Sequence, residues 1–83
     1  MSILRIDKVL LETGHRSHAS IYTAVREGLF TKQVAIGDRS VGWPDYEVAA
    51  INRARIAGHS DEKIKALVVR LHEKRISNYR DDL

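Results

Sequence analysis

The 83 residues carry 14 Lys plus Arg, 11 Asp plus Glu, one Pro and no Cys, which allows one small domain with a modest core. The lack of Cys excludes a disulfide frame, a thiolate zinc site and a thiol nucleophile, and no run approaches the ~20 apolar residues that span a membrane. A hydrophobic fraction of 43% at net charge +3 argues against a disordered chain, and a pI of about 9.5 permits a polyanionic partner without demanding one.

Asp7 is placed to cap a short helix over residues 8–13, with Val9, Leu10 and Thr13 on its buried face and Gly14 as its stop. Ser17 is a natural cap for a second helix that runs to Glu27 and ends at Gly28. Ile21, Ala24 and Val25 form the apolar stripe of that helix, and Ala19, Tyr22, Thr23 and Arg26 point the other way. Two short helices joined by so tight a turn predict a helix-turn-helix.

After Leu29-Phe30 the period changes from 3.6 to 2. Lys32, Val34 and Ile36 alternate, as do Val41 and Trp43, around the turn-rich Gly37-Asp38-Arg39-Ser40. That pattern predicts a β-hairpin, to which residues 3–5 add a short third strand; Trp43 belongs to the core. Pro44 at a first helical position, with Asp45 and Glu47 in the first turn, opens a helix to about Ala57, stopped by Gly58. Val48, Ile51 and the stem of Arg55 face inward. Ser60 caps a last helix with Ile64, Leu67, Val68 and Leu71 at i, i+3, i+4 and i+7, and Lys74 and Arg75 suit its negative end. Val69 lies off that stripe, which leaves room for an oligomer contact.

The expected fold is therefore mainly α with a small β-hairpin, a winged helix-turn-helix with an additional C-terminal helix. Residues 1–58 form the DNA-binding core, 59–76 an amphipathic helix packed on the core or a partner, and 77–83 a flexible tail. Its physics suits duplex DNA: a major groove about 12 Å wide admits one helix, and a hairpin reaches the adjacent backbone or minor groove. The candidate contacts are Ser17, His18, Ala19, Ser20, Tyr22, Thr23 and Arg26 from the second helix and its start, Lys32 on the strand leading to the hairpin turn, and Arg39 at its tip. No metal site is expected. His15 and His18 are close in sequence, but His59 and His72 lie far off. Ser, His and Asp occur in no spacing that sets a nucleophile beside a base, so no enzyme and no cofactor are expected. Five aromatics not interleaved with cations argue against single-stranded RNA.

The runs Leu4-Arg5-Ile6-Asp7-Lys8-Val9-Leu10, Thr13-Gly14, Ser17 to Tyr22, Glu27-Gly28-Leu29-Phe30 and Val41-Gly42-Trp43 resemble the AlpA family of prophage regulators. That family sits in the wider MerR-like and excisionase-like winged helix group, and the resemblance extends to about Arg75. It implies a cytoplasmic, bacterial or phage-derived DNA binder that regulates an integrase gene or acts as an excisionase. Its implied partners are double-stranded DNA, a tyrosine recombinase (integrase) and further copies of itself binding cooperatively on DNA. The residues at His18 and Thr23 replace arginines frequent in the family, which leaves Arg26 as the main cation of the reading helix. The rival expectation is a protein-interaction module that grips an integrase or response regulator through the same fold, with the last helix and the tail as its contact.

Overall fold

The computed structural model describes residues 2–81, with side chains described over 2–77. β1 (Ile3–Arg5) runs directly into α1 (Ile6–Thr13), which is followed by α2 (His18–Arg26). β2 (Val34–Ala35), β3 (Val41–Pro44), α3 (Asp45–Ile56) and α4 (Asp61–Asp81) complete the order. A helix-turn-helix, a small antiparallel sheet and two further helices make this a winged helix-turn-helix.

The sheet has the order β1-β3-β2, so β3 is its centre, and the third strand lies where residues 3–5 are expected to form it. Leu4 pairs with Trp43, and Val34 with Gly42. A Cβ at Gly42 would stand 2.6 Å from Ile3 Cγ2, 2.7 Å from the Leu4 carbonyl oxygen and 2.8 Å from Ile36 Cδ1. The carbonyl belongs to the paired strand and has no freedom to retreat, so only glycine lets β1 and the hairpin close on β3.

Trp43 is fully buried, and its indole N–H donates to the Thr31 carbonyl at 2.7 Å. Around it the core gathers Val9 from α1, Ile21 from α2, Phe30, Val48, Ile51 and Ala54 from α3, and Ile64, Val68 and Leu71 from α4. The 64/68/71 stripe thus packs on the core, with Leu67 half-buried at its margin. Gly14 and Gly58 end α1 and α3. Gly28 has φ +79°, a left-handed turn that lets the Leu29 N–H reach back to the Ala24 carbonyl at 2.8 Å.

Several boundaries differ from expectation. Asp7 does not cap α1: the helix begins two residues earlier than expected, at Ile6 with Arg5 in the cap position, because β1 feeds straight into it. Asp7 instead lies in the first turn, where an acid suits the helix dipole. α2 ends at Arg26, with Glu27 as its C-cap. Pro44 is the last residue of β3 and stands outside α3, which opens at Asp45 and closes at Ile56. The Asp45 N–H donates to the Ser2 carbonyl, and its carboxylate accepts from the Ser2 N–H at 3.0 Å, tying the chain start to this helix. Arg55 does not tuck inward; its guanidinium reaches Asp61 at 3.3 Å across the α3–α4 turn. Lys32 and Ile36 fall outside β2, which is only two residues long. α4 does not stop near residue 76 but continues to Asp81, and residues 82 and 83 of the expected tail lie outside the described residues.

The largest departure is Glu47. Expected only as a first-turn acid, it is fully buried and takes both carboxylate oxygens to Arg75, at 2.7 Å from Nε and 2.6 Å from Nη2. Arg75 therefore does not serve the helix end as a free charge. Its Nη2 also donates to the Lys32 carbonyl at 2.7 Å.

Candidate nucleic-acid interface

Ser17 enters α2 in an extended conformation, and its hydroxyl accepts the Ser20 N–H at 3.2 Å, so the expected cap is formed. The Ser20 hydroxyl in turn lies 2.7 Å from His15 Nδ1, which holds it against the protein. His18 is exposed, with Nε2 3.0 Å from Asp7 Oδ1. Asp7 thus places a carboxylate beside the start of α2.

Ala19, Thr23 and Arg26 are exposed on one face at i, i+4 and i+7. The Arg26 Nη2 donates to Thr23 Oγ1 at 3.3 Å, which steers the guanidinium along the helix surface. Tyr22 departs from its expected outward direction. It is half-buried, with its ring 6.1 Å from that of Trp43, because the hairpin packs under that side of α2.

One groove of about 470 Å³ is lined by Tyr22, Val25, Arg26, Lys32 and Gln33. It joins α2 to the segment leading into the wing, and it brings three of the expected contacts, Tyr22, Arg26 and Lys32, together. Ser17, His18 and Ala19 lie at the other end of α2, and Arg39 stands apart on the exposed Gly37–Ser40 turn, closed by Ile36 N–H to Ser40 O at 2.8 Å. Gln33 and the exposed Arg16, in the turn before Ser17, escaped the sequence reading. A basic residue in a helix-turn-helix turn was a signal available for Arg16. Among the described residues, none of Arg16, Arg26, Lys32 and Arg39 is in an ion pair.

Lys32 is held from behind. Its N–H donates to His72 Nε2 at 3.0 Å and its carbonyl accepts from Arg75, so both polar groups of its main chain are fixed by α4. Neither contact has a sequence signal, since the partners stand 40 and 43 positions away.

A family model described as "Prophage CP4-57 regulatory protein (AlpA)" matches residues 2–55, from β1 through most of α3. The chain belongs to the AlpA family. AlpA membership implies a DNA-binding regulatory role, and it coincides with the winged helix-turn-helix seen here. The chain is also similar to the uncharacterized protein ORF88 of Enterobacteria phage P4, with 40% identity over 55 residues. That stretch is 66% of this chain and 61% of the phage protein, so the chain covers under two thirds of this relative's length. No solved structure matches the chain significantly. α4, which carries the clamp on Lys32, lies beyond the matched AlpA region.

Two histidines behind this surface resist protonation. His15 is lowered first by burial and then by Arg55; His72 is lowered first by burial and then by Arg75, with Glu47 opposing and Lys32 adding to the shift. As pH falls through about 6.5, the unfolded chain takes up protons before the folded one, so stability present above that pH is lost on acidification. The melting temperature is expected to drop between about pH 7.5 and pH 5.5, and to drop less in His72→Gln. Parallel melts of the two proteins check this; identical pH profiles would remove His72 from the account.

Proposed function

We propose that the protein binds duplex DNA with α2 in the major groove and the Gly37–Ser40 turn on the neighbouring backbone or minor groove. It acts there as a regulator of an integrase gene, as an excisionase that turns a tyrosine recombinase toward excision, or as both. The observation that carries this reading is the groove of Tyr22, Arg26, Lys32 and Gln33, which makes α2 and the wing base one continuous cationic surface. Ser17, His18 and Ala19 supply the phosphate-facing end of α2, Thr23 and Arg26 the base-facing side, and Arg39 the wing contact, while Ser20 is turned to His15.

A single module of this kind buries only ~600–1,000 Å² on DNA, below most tight specific sites. Repeated sites or cooperative neighbouring copies follow from that. The test is fluorescence anisotropy on duplexes from the DNA flanking the gene, over a salt series. If Arg16, Lys32 and Arg39 each neutralise one phosphate, log affinity falls against log salt with a slope of about −3. A slope near zero on every duplex refutes the proposal. An integrase-promoter reporter and an excision assay, run with the same protein, separate the two roles.

A further inference from the structure

On the far side of α4 from Lys32, a groove of about 540 Å³ runs between α3 and α4. α3 contributes Ala50, Arg53 and Ala54, and its C-cap Ala57 continues the same face, at i, i+3, i+4 and i+7. α4 contributes Lys63, Ala66, Leu67 and Arg70, at the same spacing, and His59 closes one end. The floor is alanine and the half-buried Leu67, so an incoming apolar side chain meets no bulk before it reaches the leucine. The rim is basic. Among the described residues Arg53, Lys63 and Arg70 are in no ion pair, and no acid lines the groove.

The geometry points to this groove as a docking site for an acidic amphipathic helix of a partner protein, with the apolar stripe on the alanine floor and Asp or Glu against the three cations. Charge complementarity selects the occupant: an apolar floor gives phosphate nothing to bond, while carboxylates flanking a leucine stripe satisfy floor and rim together. Position excludes the DNA engaged by α2. Lys65 lies against Gly28, and His72 bonds Lys32, on the α4 flank nearest the reading helix. Lys63 and Arg70 each stand two residues from these and hence on the opposite flank. A partner seated here leaves the DNA surface uncovered, so one copy of the protein holds both at once.

The probe is a synthetic helical peptide with Leu at i, i+3, i+4 and i+7 flanked by Glu, titrated into the full-length isotope-labelled protein. Its twin carries Lys for every Glu. The acidic peptide is expected to bind at least about tenfold more tightly than the twin, more weakly as salt rises, with NMR shifts centred on Ala54, Ala57, Ala66 and Leu67. Arg53→Glu/Arg70→Glu is expected to weaken it by about tenfold or more while DNA affinity holds. Ala66→Glu, a helix-compatible change at an exposed site, does the same should the double variant misfold. Equal binding of both peptides, binding of neither, or binding that survives these variants overturns the assignment. So does displacement of the peptide by duplex DNA, or self-association in sedimentation that the same charge reversal abolishes. The peptide titration contains no DNA, so it stands or falls apart from the DNA-binding proposal.

Discussion

Arg75→Met is expected to destabilise the fold by about 3–5 kcal/mol, the cost of leaving one member of a buried ion pair unpaired. Glu47 is 0% exposed and Arg75 is only 23% exposed on its side chain, so water does little to screen the carboxylate once the guanidinium is gone. Small domains hold total stabilities of roughly 5–15 kcal/mol, with this size at the lower end, so the variant keeps only a marginal stability and its urea midpoint falls sharply. The double variant Glu47→Leu/Arg75→Met regains most of the loss, because apolar groups of similar volume replace a buried pair at little or no net cost. Urea melts of wild type, both single variants and the double give the coupling directly. Additive single effects would show that Glu47 and Arg75 act independently, contrary to the bidentate geometry. The Lys32 carbonyl also loses its donor, so the restored fold should bind DNA less well than wild type does.

Arg26→Ala is expected to reduce affinity for the specific duplex by ~1–3 kcal/mol, roughly 5- to 150-fold, where the guanidinium bonds a guanine edge with two donors. Thr23 steers that guanidinium along the exposed face of α2, which presets its direction before DNA arrives. Arg26→Lys keeps the charge but not the fork, so it restores the non-specific affinity and not the discrimination. Competition binding between the cognate duplex and a scrambled one reads both quantities. An unchanged footprint in Arg26→Ala would assign base reading to other residues of α2. Lys32→Ala should instead weaken all duplexes alike and lower the salt slope by about one.

The parts of this structure that sequence alone made legible are those that local chemistry decides. Ser17 caps α2 because its hydroxyl needs only the N–H three residues on. Glycine ends α1, and Gly28 turns the chain out of α2, through main-chain bonds within a few residues. The stripe of Ile64, Val68 and Leu71 follows from helical period, and the hairpin from alternation around a turn. What escaped depends on the far chain. Glu47 and Asp45 present the same type of charge at the start of α3, yet one binds Ser2 at the surface and the other is buried on Arg75, 28 positions away. Nothing near Tyr22 says that Trp43 lies 6.1 Å below it. The exposed row of Ala19, Thr23 and Arg26 follows from helical period alone. The clamp of His72 and Arg75 on Lys32 does not, because its partners stand far along the chain.

That clamp ties the reading surface to the order in which the chain is made. α1, α2 and the wing precede His72 and Arg75 in the chain, so Lys32 is set in place only when α4 packs on the core. Domains tend to fold as units during synthesis, and contacts of long sequence separation form late. A chain that lacks α4 therefore keeps α1, α2 and the wing but not the two bonds that fix the Lys32 main chain.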